Sequence, residues 1–250
     1  MSQSSTTRIT ADKFDAVLFD LDGVVTATAK MHAACWKKMF DEYLQKRGAD
    51  SGKPVQLFDI VTDYRLHVDG KLRFDGVRDF LESRSIKLPE GTPDDPPGRE
   101  TVCGLGNWKN TMINEVIEST GVEVYEGTVA LIKQVREQGL KTAIVTSSQN
   151  REAVLRAARI GDLFDAAIDG NVIAEQGLAG KPAPDSFLKA AEVLGVDPKR
   201  AVVVEDAISG VRAGRDGGFG LVIGVARKGE VEELKDNGAD LVVTDLSELL

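Results

Sequence analysis

The sequence predicts an α/β protein, a doubly wound parallel sheet with an inserted, mainly helical domain. Three observations lead there. Short apolar runs rich in Val, Ile and Leu occur at the start of the chain and again through its second half. They alternate little, as strands covered on both faces do, and amphipathic segments separate them. Residues 28 to about 120 break this rhythm with helical patterns alone, so they interrupt the βα order rather than extend it.

Taken in order, the opening "MSQSSTTRITADKF" lacks the apolar stretch of a signal peptide, and residues 1–13 read as a disordered arm. The first strand, Ala16–Phe19, runs straight into "DLDG". Helical segments then follow in "AKMHAACWKKMFDEYLQKRG", "VQLFDIVTDYRLHV", "GVRDFLESR" and "NTMINEVIESTG", with the four-proline loop "LPEGTPDDPPG" between the last two. The α/β pattern resumes with "TVALIKQVREQGL", which starts on Thr128 as an N-cap and stops at Gly139. Strand Thr142–Val145 is followed by helices closing on Gly161 and Gly195, and then by strands Ala201–Val204, Leu221–Val225 and Leu241–Val243. Residues 14–27 and 121–250 are therefore expected to form one domain and residues 28–120 the insertion.

Bulk properties narrow the class. A chain of 250 residues, 42% hydrophobic and 28% charged, suits a globular protein of one large or two unequal domains. A net charge of −9 argues against nucleic acid or an anionic membrane as partner. Cys35 and Cys103 have no metal-ligand spacing and cannot make a disulfide framework, which points to a reducing cytoplasm. No stretch reaches the ~20 apolar residues of a membrane span. A monomer acting on a small molecule is the expectation.

The chemistry sits where strands end. Ligands of open parallel sheets bind outside the carboxyl ends of the strands. The first strand delivers Asp20 and Asp22, the second Thr146, and the strand 201–204 delivers Glu205 and Asp206; "GLAGKPAPDSF" puts Lys181 in a loop entering a helix. Like charges ~4 Å apart cost about 4 kcal/mol at an effective dielectric of 20, so converging carboxylates require a cation. Oxygen ligands favour Mg²⁺. The ion lets an anionic nucleophile approach an anionic phosphoryl group, so the first carboxylate attacks, the second manages protons and Lys181 stabilises the phosphoryl oxygens. An EF-hand is excluded, because Val24 and Thr26 stand where a third oxygen ligand and a glycine are needed. A dinucleotide fingerprint fails in "GLGNWK" and "DGGFGLVIG".

"DLDGV", "VTSS", "GKPAPD" and "VEDAISG" resemble, in order, the four motifs of the haloacid dehalogenase superfamily, and the likeness spans nearly all of the chain past residue 13. It implies a Rossmann-like core with Asp20 as nucleophile, passing through an aspartyl-phosphate, and Asp22 as general acid/base. Mg²⁺ is then held by Asp20, the Asp22 carbonyl and Asp206, with Glu205 assisting, while Thr146 and Lys181 grip the phosphoryl group. "DLDGVVTATAKMHAACWKK" resembles the β-phosphoglucomutase-like branch. That implies a phosphosugar substrate, most directly β-glucose 1-phosphate converted to glucose 6-phosphate, with contacts from His32, Trp36, Arg73, Lys109, Ser147, Ser148 and Asn150. Ala27, Gln149 and Trp108 depart from the branch's usual aspartate, lysine and arginine. A phosphatase built on the same core is the alternative, and a non-catalytic binding module a remote one.

Overall fold

The computed structural model describes residues 9–52, 54–227 and 229–250. The chain divides into two compact units, one made of residues 1–27 with 123–250 and the other of residues 28–122. Of the arm expected to be disordered, residues 1–8 lie outside the described residues, while 9–13 are ordered. Ile9 is buried, and the Lys13 and Phe14 N–H groups both donate to the Thr10 carbonyl at 3.0 Å. A buried isoleucine and a closed turn hold this stretch, against the expectation.

The chain enters through β1 (Ala16–Phe19), whose four side chains are all buried. It then builds the helical unit. Helix α1 (Ala29–Ser51) buries Ala33, Trp36, Phe40, Tyr43 and Leu44, a stripe at helical spacing, and ends on Gly52 in the left-handed region. The helix expected over "VQLFDIVTDYRLHV" is absent from the first half of that segment. Side chains of α1 satisfy that backbone instead: Asp41 accepts from the Phe58 N–H at 2.8 Å and Lys37 donates to the Phe58 carbonyl at 2.9 Å. The second half forms a π-helical turn, Tyr64–Val68. Helix α2 (Arg73–Ser83) follows, then α3 (Val102–Thr120), which starts at Val102 rather than Asn110 because the Thr101 hydroxyl caps the Gly104 N–H at 2.9 Å.

The proline-rich loop before α3 is organised by buried Asp95, which accepts from the Thr101 and Thr92 hydroxyls and from Arg99. Gly91 is required there: its φ is +75°, and a Cβ would stand 2.1 Å from an Asp95 oxygen. The core of this unit is aromatic. Phe40 stacks on Trp36 and Phe58 with centroid separations of 5.4 and 5.2 Å and meets the tilted Phe80 ring at 4.1 Å.

The other unit is a six-stranded sheet, parallel throughout, in the order β3-β2-β1-β4-β5-β6. After α4 (Glu126–Glu137) come β2 (Lys141–Val145), α5 (Arg151–Ala158), β3 (Ala166–Ile168), α6 (Gly170–Glu175) and α7 (Asp185–Leu194). Then follow β4 (Ala201–Glu205), α8 (Ile208–Asp216), β5 (Leu221–Val225), α9 (Val231–Asp236) and β6 (Leu241–Val243). Thr128 is not the N-cap of α4. It lies in the first turns, fully buried, with its hydroxyl donating to the Val24 carbonyl at 2.8 Å. Strand β3, Ala-Ala-Ile, has one strand former in three residues and was not expected; pairing with β2 creates it.

The sheet grows from β1 toward β3 on one side and toward β6 on the other. The carboxyl end of β1 is therefore the switch point at which such sheets open a crevice.

Candidate active site

Register puts the candidate residues on one edge. Phe19 pairs with Ile144 on one side and Val204 on the other, so β1, β2 and β4 end together. Asp20 follows Phe19, Thr146 follows Val145 and Glu205 closes β4. The Asp20 N–H donates to the Val204 carbonyl at 2.9 Å, continuing the ladder and fixing the carboxylate at the rim.

Lys181 reaches this edge from the loop before α7 and is fully buried. Its ammonium donates to Asp20 Oδ1 at 2.6 Å, Glu205 Oε1 at 2.5 Å and the Val145 carbonyl at 3.0 Å, which uses all three N–H bonds. The Phe187 ring closes its other side at 4.9 Å. Burial opposes the Lys181 charge, yet Asp20 and Glu205 override it and lift the ammonium above its ordinary value, so it stays protonated. Burial pushes the Asp20 carboxyl well up, Lys181 pulls it back, and Glu205 and Asp22 add to the rise.

Glu205 is a holder as much as a donor. One oxygen takes Lys181, and the other accepts the Asp206 and Ala207 N–H groups at 3.1 Å each. Asp22 accepts from the Thr146 hydroxyl at 3.3 Å, and that hydroxyl accepts the Ser148 N–H at 3.1 Å. The Asn150 N–H donates to the Ser148 hydroxyl at 3.2 Å. A buried Asp169 carboxylate takes Arg151 at 2.8 Å, and the Gly170 N–H beside it bonds the Ser148 carbonyl, so the loop 147–150, which includes Ser147, is held from below.

Oxygens of Asp20, Glu205 and Asp206 lie within 4.8 Å of one another. This all-oxygen, carboxylate-rich donor set fits a hard dication such as Mg²⁺. Two glycines make the approach possible: a Cβ at Gly23 would stand 1.9 Å from Asp206 and one at Gly210 1.8 Å from Glu205. Sequence reading did not single them out, although both are the glycines of "DLDG" and "DAISG".

A sequence profile described as haloacid dehalogenase-like hydrolase matches residues 14–218. The chain belongs to the haloacid dehalogenase superfamily. It falls in the β-phosphoglucomutase-like branch of that superfamily and is an enzyme of the phosphotransferase or hydrolase type. It is 49% identical over 242 residues to a protein named β-phosphoglucomutase from Mycobacterium bovis, covering 96% of this chain and 92% of that one. A Bacillus subtilis protein of the same name is 31% identical over 235 residues, covering 94% and 91%. The crystal structure of β-phosphoglucomutase from Clostridium difficile superposes with a TM-score of 0.73 at 26% identity, covering 95% of this chain and 93% of that one.

The remaining candidates of this haloacid dehalogenase relative lie in the helical unit. Lys109, buried on α3, approaches His32 Nδ1 on α1 at 2.7 Å and rests 5.0 Å from the Trp36 ring centre. Trp36 itself is 4% exposed and stacked on Phe40. Its ring supports Lys109 from the core. Arg73 opens α2 with its guanidinium 4.8 Å from the Phe74 ring. Its Nε is buried without a hydrogen-bond partner among the described residues, and burial lowers its pKa. Of the three departures, Trp108 packs against the aromatic core, the Gln149 carbonyl takes Asn171 at 3.1 Å, and the Ala27 N–H bonds the Glu123 carbonyl at 2.9 Å.

Proposed function

We propose that this enzyme is a Mg²⁺-dependent phosphosugar mutase that converts β-glucose 1-phosphate to glucose 6-phosphate by way of a bisphosphate. The observation that carries the reading is the pairing of two aspartates with different tasks. Asp20 is gripped and aimed by the Lys181 ammonium at 2.6 Å, whereas Asp22 takes the Thr146 hydroxyl at 3.3 Å, so the two carboxyl groups stand in different settings suited to attack and to proton transfer. The 49% likeness to a protein named β-phosphoglucomutase supports the same substrate.

In the reaction, an Asp20 oxygen attacks phosphorus while the bond from phosphorus to the sugar oxygen breaks. Asp22 delivers its proton to the departing oxygen, leaving a phosphorylated Asp20 and an Asp22 carboxylate. In the reverse sense, Asp22 takes the proton of an acceptor hydroxyl as that oxygen attacks the phosphoryl group on Asp20. In this reading the Lys181 N–H that rests on Asp20 turns to the phosphoryl oxygens, which Thr146 also holds, and Ser147, Ser148 and Asn150 line their approach. Asp20, Asp206 and the Asp22 carbonyl, with Glu205 beside them, would hold Mg²⁺, which would supply charge neutralisation between nucleophile and phosphate. Arg73, half-buried with its Nε unpartnered among the described residues, suits a second phosphate, and Lys109 with His32 suits the sugar.

The test compares glucose 6-phosphate formation with inorganic phosphate release from β-glucose 1-phosphate, Mg²⁺ and trace glucose 1,6-bisphosphate. Isomerised product in large excess over phosphate is expected. Stoichiometric phosphate without isomerised product would make the enzyme a phosphatase, in which water replaces the sugar hydroxyl. The absence of the usual lysine at Gln149, which removes one cation from the phosphate loop, favours keeping that second reading in the experiment.

A further inference from the structure

Beyond the motif residues, one side chain holds the backbone from which they project. We propose that Arg227 is a positioning residue of the phosphoryl-transfer site, fixing the turn that presents Asp22 by binding the carbonyls of Gly23 and Val24. The inference rests on the reading of Asp20 and Asp22 given above.

The turn over residues 20–26 closes on itself from the inside. The Leu21 carbonyl accepts from the Val25 N–H at 3.0 Å, the Thr26 N–H at 2.9 Å and the Thr26 hydroxyl at 3.0 Å, and the Gly23 N–H donates to the Thr26 carbonyl at 2.7 Å. Its outward carbonyls, Gly23 and Val24, take side-chain donors instead. Arg227, in the loop after β5, gives Nε to Gly23 at 3.2 Å and Nη2 to Val24 at 3.4 Å. The Thr128 hydroxyl gives Val24 a second donor.

The guanidinium cannot drift, because the rest of it is engaged. Nη1 pairs with Asp245 at 2.7 Å and donates to the Thr244 carbonyl at 3.2 Å, while the plane lies over the Tyr125 ring, 3.6 Å from its centre. Asp245 is fixed in turn by the capping box of the last helical turn, Leu246–Leu249. The Tyr125 N–H donates to the Val25 carbonyl at 3.0 Å, and Val124 bridges to Thr26, so the ring beneath Arg227 belongs to the segment paired with the same turn.

Three separated pieces of chain, residues 21–26, 123–125 and 244–245, therefore meet at one planar cation. Gly23 is also the residue whose missing Cβ admits Asp206, so moving its carbonyl shifts Asp22 and the Asp206 approach together. Displacements of about 1 Å at such a centre cost on the order of 10²-fold in rate. Lysine cannot replace the fork, since a point charge cannot serve two carbonyls, a carboxylate and a ring face at once.

The experiment uses the full chain with Mg²⁺. It measures kcat and KM for p-nitrophenyl phosphate, and hydrogen exchange across residues 16–27, in the natural enzyme, Arg227→Met, Arg227→Lys and Asp245→Asn. Arg227→Met is expected to lose about 10- to 100-fold in kcat with KM within about threefold. The Gly23, Val25 and Thr26 amides should exchange at least ~10-fold faster while those of β1 hold their rates. Arg227→Lys should recover only a small part of the loss, and Asp245→Asn, which frees the guanidinium without removing it, should show the same pattern more weakly. Natural kcat and exchange in Arg227→Met overturn the proposal. So does exchange that quickens uniformly across the unit, which marks a merely structural role. Should Arg227→Met fail to fold, Asp245→Asn decides by the same two readouts. If the natural enzyme itself turns over no phosphate ester, the functional reading falls, while the exchange data still settle whether Arg227 holds the turn.

Discussion

The two units hold their candidate residues by different means. In the α/β unit Asp20, Thr146, Glu205 and Asp206 are each one residue past, or the last residue of, a strand in a parallel sheet, so backbone register sets their spacing, and Asp22 follows on the turn after β1. In the helical unit His32, Arg73 and Lys109 stand on three different helices, and their placement depends on how an aromatic cluster packs. Chemistry fixed by register tolerates change in its surroundings but not in itself. Recognition fixed by packing can be retuned by any core substitution.

The sharpest way to break this contrast is at the nucleophile. Asp20→Asn is expected to lose at least ~10³-fold in kcat on every phosphate ester while the thermal transition persists, because an amide still accepts from Lys181 but cannot attack phosphorus. A loss confined to glucose phosphates would mean that the carboxylate serves recognition and not chemistry.

Lys181→Met comes next. It strands Asp20 and Glu205 in a buried site without their cation, and breaking such a pair costs about 3–5 kcal/mol. Thermal melts should show the drop, with part of it recovered by added Mg²⁺ and none by added Na⁺. An unchanged melting temperature would remove Lys181 from the structural account.

Arg73→Lys probes the other unit. It should raise KM for β-glucose 1-phosphate about tenfold, the loss of one bidentate contact, and leave p-nitrophenyl phosphate kinetics untouched. Equal damage to both substrates would contradict the division of labour.

The smallest effect concerns acid. Burial opposes the charges of Asp79 and Asp165, yet Lys71 with His67 on the first, and the Thr142 N–H with Arg136 on the second, hold both carboxyls below the usual range. Asp95 is held down first by the Thr101 hydroxyl and Asp245 by its hydrogen bonds to Ser247. Each binds fewer protons folded than unfolded, so its stabilisation is present above the unfolded carboxyl value and is lost as pH falls through the folded one. Melting temperature should therefore decline from about pH 5 to about pH 3. Asp79→Asn in the helical unit and Asp165→Asn in the α/β unit should each flatten that decline, and a steeper decline in either variant would reverse the assigned sign.

How much of this was legible in the sequence follows the same division. Strands β1, β2, β4, β5 and β6 were readable because strands buried on both faces must be continuous apolar runs. The residues at their ends were readable because acidic groups there have no structural reason to be apolar-flanked. Strand β3 was not, since Ala166 and Ala167 carry no preference until β2 offers a ladder. The segment before the π-helical turn looked helical by composition, but Asp41 and Lys37 claim the Phe58 backbone from a distance of some seventeen to twenty-one positions. Thr128 looked like a cap because it precedes an amphipathic run, yet its hydroxyl is spent on Val24.

By itself, then, the sequence determined the chemistry: the order of motif residues, the oxygen-only donor set and the sheet that carries it, because local pattern and strand period specify all three. Folding in three dimensions decided which groups support them. That Glu205 grips Lys181, that Trp36 props Lys109 and that Arg227 ties the Asp22 turn to the far end of the chain are contacts between residues tens to hundreds of positions apart. No local pattern encodes such pairings, because each side chain's role is set by what the packed chain brings to it.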